Sequence, residues 1–187
     1  MLHTNVEITD VNQLNETTLV IRGLASTPTI DSHESTFAPM AFHLERYKKN
    51  PVILYEHYTD RPVGKATAFS QTPHGLEIEA TIYKDIDPQV FAMVHAGVLK
   101  TFSVGGNYLT EPEYSSILDA YVITDFELAE VSLVAVPSNE DALVTGVSLC
   151  SLGACSLVRN YNGNKKQGKL DSEIIRAVIR KHVDIPK

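Results

Sequence analysis

The stretch FELAEVSLVAVP, residues 126–137, decides the fold of this 187-residue sequence. Side chains in a β-strand point alternately to two faces of the sheet. From Leu128 onward both sets of alternating positions are largely apolar. A strand with two apolar faces is covered on both sides, as inner strands of packed sheets are. The stretch therefore predicts a central strand with the rest of the domain built around it.

Patterns on either side of this strand indicate a mainly β body with a few helices. Residues 65–82 read as two strands joined by a Pro-His-Gly turn, and residues 1–25 read as two more strands. Asp87 predicts a helix N-cap and Gly97 the C-terminal end of the same helix. A shorter helix is expected over residues 40–50, ended by Pro51, because proline lacks the N–H that continues the helical ladder. The predicted fold class is α+β, mainly β.

The charge is unevenly distributed along the chain. Residues 158–187 contain eight Lys or Arg and three Asp or Glu, so they carry +5 of a total of −7 and leave −12 on residues 1–157. An acidic body repels phosphate, which argues against nucleic-acid binding. We predict a β domain over 1–157, followed over 158–187 by a basic linker and a C-terminal amphipathic helix. No apolar run approaches the roughly 20 residues of a membrane span, so we expect a cytoplasmic protein.

Glu130 is the carboxylate that most needs an explanation. It lies inside the apolar run, where an ionised group is strongly unfavourable unless something pairs with it. One explanation is a buried ion pair with a cation such as Arg61 or Lys65. The other is an acid that orients a catalytic base, a role for which Asp125 and Glu127 are alternatives on the same strand.

Two further residues have the chemistry to accompany such an acid. His57 follows the apolar run PVILY and precedes a turn, where an imidazole serves as a general base near neutral pH. Ser103, in LKTFSVGG, is the candidate nucleophile, and Gly105 and Gly106 would let the backbone approach a substrate carbonyl. On spacing alone a structural serine and a surface histidine are the favoured explanation, because catalytic triads are recognised by geometry.

Other catalytic classes find little support in the sequence. Neither His-x-x-x-His nor clustered Cys and His residues occur, which argues against a metallopeptidase, and no cofactor is expected. Gly-x-Ser-x-Gly is absent too, which weakens an esterase-type hydrolase.

Five blocks occur in a characteristic order: RGLASTPTIDSHESTFAPMAF, NPVILYEHYTDRPVGKA, GLEIEATI, VHAGVLKTFSVGG and LAEVSLVAVPSNEDAL. Together they resemble the prohead maturation proteases of tailed bacteriophages, the HK97 prohead protease type. The resemblance extends from about Arg22 to Ala142. It implies a serine endopeptidase with a herpesvirus-assemblin-like β-barrel and surrounding helices. Such enzymes act inside the phage prohead in the host cytoplasm, without a cofactor. For this chain a homo-oligomer is a further expected form.

The resemblance also implies partners and site residues. Enzymes of this type cleave scaffolding protein, or the scaffold-like delta segment of the major capsid protein, and themselves. The family's histidine falls on His57, its nucleophile on Ser103 and its acid on Glu130, although related assemblins use a second histidine as the third member. Met40 and Gly106 depart from the family's usual Pro-Gly-Ala-Phe and Ser-x-Gly-Phe patterns, so Gly106 is expected to widen a subsite. The competing hypothesis is a non-enzymatic capsid-assembly protein that binds scaffold while its serine only packs.

Overall fold

The structure is a computed structural model that describes residues 17–151 and 154–160. Twelve strands and two helices are present in this part of the chain. In order they are β1 Thr18–Ser26, β2 Ser35–Phe37, β3 Phe42–His43, α1 Glu45–Lys49, β4 Val52–Tyr55, β5 Tyr58–Thr72, β6 Gly75–Tyr83, α2 Pro88–Ala96, β7 Thr101–Tyr108, β8 Glu113–Ser115, β9 Ala120–Ile123, β10 Phe126–Val134, β11 Val144–Ser151 and β12 Ala154–Asn160.

Most strands belong to one sheet, so the prediction of a mainly β fold is confirmed. Its order is β12-β11-β1-β6-β5-β4-β10-β3, and β7 also pairs with β10. A smaller sheet has the order β2-β9-β8. Within the described residues no strand pairing joins β12 to β3, and a bridge between Thr101 and Leu143 links β7 to the residue before β11.

Strand β10 is the inner strand that its two apolar faces predict. It pairs with β7 in antiparallel orientation on one side, and with β3 and β4 in parallel orientation on the other. Leu128, Val131 and Leu133 are completely buried in the core. Burying a Leu or Val side chain stabilises a fold by about 1.5–3 kcal/mol, so this strand is a major source of stability.

A β-bulge interrupts β10 at Ala129. Leu128 lies opposite Gly106 and Glu130 lies opposite Gly105, so β10 has one residue more than its partner strand here. Partners across a ladder share a face of the sheet. The core-facing positions therefore change from even-numbered residues before the bulge to odd-numbered residues after it. Glu130 is thereby released from the core face to the opposite face of the sheet.

The two helices illustrate a confirmed and a partly wrong prediction. Helix α2 begins as predicted, since the Asp87 carboxylate accepts a hydrogen bond of 3.0 Å from the Val90 N–H, and Gly97 ends it at a φ of 74°. Helix α1 is shorter than predicted, because Phe42 is in β3 instead. The Gln71 side chain accepts from the Phe42 N–H and donates to the Phe42 carbonyl, and this tertiary contact overrides the local helical preference.

Some predictions concern residues outside the described part of the chain. These are the first of the two N-terminal strands and nearly all of the basic segment after residue 158. Strand β12 extends over both sides of the predicted boundary between residues 157 and 158. No helix in the described part of the chain is long and apolar enough to cross a membrane.

The outer edge of β7 pairs with no other described strand over most of its length. The Phe102 N–H donates to the Ala142 carbonyl at 2.7 Å, so it points away from β10. Backbone groups alternate in direction along a strand, so those of Val104 and Gly106 also point outward. Beyond a bridge from Thr101 to Leu143, no strand in residues 17–151 or 154–160 pairs with this edge.

Candidate active site

Strand register brings the candidate nucleophile and acid to one face of the sheet. Ser103 lies directly opposite Ser132, and Gly105 lies opposite Glu130. Because cross-strand partners share a face, and residues two apart on a strand do so as well, all four lie on the same side. The bulge in β10 is what aligns Glu130 with the Ser103 face.

His57 occupies a strained turn between β4 and β5. Tyr55 pairs with Tyr58, which leaves Glu56 and His57 as a two-residue hairpin loop with φ values of 52° and 60°. Positive φ at both positions is typical of a type I′ turn, which normally takes Asn or Gly. For residues with a Cβ this conformation costs about 1–2 kcal/mol each, so other contacts must hold it.

Hydrogen bonds to β10 hold this turn in place. The Glu56 N–H donates to the Leu133 carbonyl at 3.0 Å, and the Glu56 carboxylate accepts from the Ala135 N–H at 2.7 Å. The His57 N–H donates to the Ser132 hydroxyl oxygen at 3.1 Å. The turn is thus anchored to the strand that carries the acid.

The His57 side chain pairs with Glu130. Its Nδ1 lies 2.7 Å from Glu130 Oε1. A carboxylate only accepts hydrogen bonds, so Nδ1 carries the proton, and in the neutral imidazole Nε2 is left with its lone pair. Nε2 has no hydrogen-bond partner among the described residues. This is the tautomer that a general base requires.

The environment of this pair favours a charged imidazole. The hydrogen bond to Glu130 raises the pKa of His57, partial burial opposes the rise, and the charges of Glu130 and Glu56 add to it. The Glu130 side chain is 15% exposed, whereas that of His57 is 43% exposed and open to solvent. Because the pKa of His57 is raised in the folded protein, the pair contributes its full stabilisation at pH values below the ordinary imidazole pKa. That stabilisation is lost as the pH rises through the raised pKa.

Gly105 makes room for the carboxylate of Glu130. A Cβ at position 105 would lie 1.9 Å from Glu130 Oε1 and 2.9 Å from its Cδ. The sequence predicts that Gly105 and Gly106 let the backbone approach a substrate. The structure gives Gly105 another function, which is to admit the acid from the neighbouring strand. The contribution of either glycine to an oxyanion site stays a prediction.

Ser103 and Ser132 face each other but have different surroundings. Ser132 is completely buried, and its hydroxyl donates to Glu130 Oε2 at 2.6 Å. Ser103 is half-buried, and its hydroxyl makes no hydrogen bond with any described residue, His57 included. Catalytic hydrogen bonds are often long or absent in enzymes without substrate. Ser103 is the accessible hydroxyl of the two.

The alternative explanation of Glu130 as a partner of a cation is wrong for Arg61. The Arg61 guanidinium instead binds Asp87 at 2.6 Å and covers the Tyr55 ring at 4.4 Å. The two alternative acids are also engaged elsewhere. Asp125 lies 3.0 Å from His43, and Glu127 lies 2.9 Å from Arg46.

Two residues of this site have no counterpart among the sequence predictions. Ser132 could have been identified from the sequence, since it is a hydroxyl two positions after Glu130 within an apolar run. Glu56 gave none, because an acid beside a histidine at a strand end is common on protein surfaces. No group of three His, Cys, Asp or Glu side chains in residues 17–151 is arranged to hold a metal ion.

A serine hydroxyl that shares a sheet face with a His–carboxylate pair is a feature of serine hydrolases. Comparison with known proteins gives the family. Residues 5–154 match the model of the caudovirus prohead serine proteases, and the chain belongs to this family.

Individual relatives agree with that family. Over 135 residues the chain is 39% identical to the prohead protease of Escherichia phage T5, covering 70% of this chain and 64% of the relative. Over 148 residues it is 24% identical to the capsid polyprotein of Pseudomonas phage PAJU2, covering 74% of this chain and 21% of the polyprotein. The chain thus spans less than two thirds of the length of either relative.

Two solved structures are similar to the chain at low sequence identity. One is KSHV protease in complex with a hexapeptide phosphonate inhibitor, with a TM-score of 0.42, 14% identity, and coverage of 91% of this chain and 78% of that one. The other is varicella-zoster virus protease, with a TM-score of 0.41, 14% identity, and coverage of 71% and 64%.

Proposed function

We propose that this protein is a serine endopeptidase of capsid maturation, with Ser103 as nucleophile, His57 as general base and Glu130 as the orienting acid. The observation that carries the proposal is the hydrogen bond of 2.7 Å between His57 Nδ1 and Glu130, on the face of the sheet that also holds Ser103. Membership of the prohead serine protease family supports the same chemistry.

The proposed reaction uses only groups of this chain, the substrate and water. His57 Nε2 takes the proton of Ser103 as Oγ attacks the scissile carbonyl carbon. The C–N bond then breaks, the imidazolium protonates the departing amine, and an acyl-enzyme remains. Water, deprotonated by the same imidazole, attacks the ester, and Ser103 Oγ leaves with the returned proton. Glu130 stabilises the imidazolium in both halves of the reaction.

The open edge of β7 supports a peptide as the substrate. Extended peptides add to exposed sheet edges through main-chain hydrogen bonds. The outward backbone groups of Val104 and Gly106 lie one and three residues after the nucleophile on the strand that carries it. A segment bound there would have its own backbone beside Ser103, whatever its side chains.

The proposed substrates are scaffold-like segments of the phage capsid proteins, cut inside the prohead in the host cytoplasm, together with sites in this chain itself. The match to a capsid polyprotein supports an association with capsid protein. We expect that co-expression with the phage's scaffold-bearing capsid protein produces fragments with the wild type and none with Ser103→Ala. Intact mass measurement would give the cleavage sites.

The same experiment tests the non-enzymatic alternative. Identical masses with both variants in assembled proheads would contradict a serine protease. A chain that copurifies with scaffold but never cuts it would be a scaffold-binding assembly protein.

The raised pKa of His57 leads to a prediction about pH. Because the base must be neutral, kcat/KM should fall as pH decreases through a value above the ordinary imidazole pKa of about 6.5. Glu130→Gln removes the largest cause of the raised pKa, so the acid limb should move to lower pH. The plateau should fall about 10²- to 10⁴-fold, because the imidazole loses its orienting charge. A pH profile of peptide cleavage measures both effects, and an acid limb that does not move would rule out Glu130 as the partner.

A further inference from the structure

We propose that Ser132 is a positioning residue that couples the His57 main chain to the Glu130 carboxylate, an inference that rests on the proposed protease function. Its hydroxyl accepts from the His57 N–H at 3.1 Å and donates to Glu130 Oε2 at 2.6 Å. The Ser132 hydroxyl oxygen thus contacts both His57 and Glu130, and it does so at atoms that take no part in the bond between Nδ1 and Oε1.

The direction of these two hydrogen bonds is determined by chemistry. A backbone N–H only donates and a carboxylate only accepts, so the hydroxyl must accept from the first and donate to the second. A hydroxyl has one proton, which is therefore committed to Glu130. Together with the His57–Glu130 bond, these contacts close a ring through His57, Ser132 and Glu130.

The ring constrains the two groups whose positions matter most. Glu130 Oε1 binds the imidazole while Oε2 is held by Ser132, so the carboxylate cannot rotate away. His57 has a φ of 60°, a conformation that persists only when surrounding contacts hold it. The bond from its N–H to Ser132 supplies such a contact at the strained residue itself.

Ser132 cannot take part in the reaction directly. It is completely buried, whereas the hydroxyl opposite to it in the ladder, that of Ser103, is half-buried. Its proton is engaged with Glu130, so it is not available to a substrate. Its effect must pass through His57 and Glu130, which makes kcat the parameter that should change.

Ser132→Ala removes both bonds and leaves the His57 N–H without its partner. We expect kcat to fall roughly 10- to 100-fold with KM little changed, because a small displacement of a catalytic base is enough for a loss of this size. Ser132→Thr retains the hydroxyl on a β-branched side chain suited to a strand, and should recover most of the lost rate. The Nδ1–H proton resonance of His57, followed by NMR without substrate, should broaden or disappear in Ser132→Ala and persist in Ser132→Thr.

The matched control is Thr36→Val. Thr36 is a buried hydroxyl that binds the Pro28 carbonyl at 2.8 Å in the small sheet. Its removal should lower thermal stability with kcat and the His57 resonance unchanged. Should Ser132→Ala keep both the wild-type kcat and the resonance while Ser103→Ala is inactive, the positioning role is wrong and the protease function stands. If Ser132→Thr is too unstable to assay, the Nδ1–H resonance of His57 is measured in folded Ser132→Ala at low temperature. Persistence of that resonance would overturn the proposal.

Discussion

Ser103→Ala is expected to reduce kcat/KM for peptide cleavage by at least about 10⁴-fold, because no other group can form the acyl-enzyme. The structure makes this test specific, since a second serine lies directly across the strand pair. A serine-directed fluorophosphonate should label the wild type once, at Ser103. Peptide mapping by mass spectrometry identifies the modified residue.

Suitable controls separate the two serines and the general background. Ser70→Ala replaces an exposed serine on β5 and should keep both labelling and activity. Ser132→Ala should still be labelled at Ser103, although more slowly, because its nucleophile is intact. Label on Ser132 in the wild type, or undiminished cleavage by Ser103→Ala, would show that the nucleophile is misassigned.

Gly105→Ala should also reduce catalysis strongly, although less than Ser103→Ala, while leaving a folded protein. The new methyl group would lie 1.9 Å from Glu130 Oε1, so the carboxylate must move away from His57 and Ser132. We expect kcat/KM to fall by about 10²-fold or more. Loss of the two hydrogen bonds should lower the free energy of unfolding by about 1–3 kcal/mol. The pKa of His57, measured by NMR titration without substrate, should drop towards its ordinary value.

Gly146→Ala provides the matched control. A Cβ at Gly146 on β11 would meet no atom within 4 Å, so the same chemical change should leave activity and the His57 titration unchanged. Wild-type activity and an unshifted His57 in Gly105→Ala would contradict the close packing of Glu130 against β7.

The parts of the fold that the sequence predicts are those with local causes. The inner position of β10 follows from its apolar residues on both faces, and helix α2 follows from Asp87 and Gly97 at its ends. The helix expected before Pro51 is shortened at its start. Phe42 is not helical, because the side chain of Gln71, 29 residues away, binds the backbone of Phe42. No local pattern contains that contact.

The candidate site divides in the same way. Glu130 and His57 attract attention by their own positions in the sequence, one in an apolar run and the other at a strand end. Their pairing depends on the bulge at Ala129, which exists only relative to the partner strand β7. The turn at Glu56 and His57 could not be predicted from the sequence either, because its positive φ values occur without the Asn or Gly that usually indicates such a turn.

The open edge of β7 has a consequence for what the proposed enzyme can cut. A strand with neighbours on both sides already has its backbone groups bonded, so it cannot add to another sheet. Only a segment free to become extended could align beside Ser103. The enzyme would therefore select substrate segments first by their conformation and only then by their side chains. The compact domains of a capsid protein would not be cleaved, whereas loosely structured scaffold segments would be, even where the two have the same residues around a peptide bond.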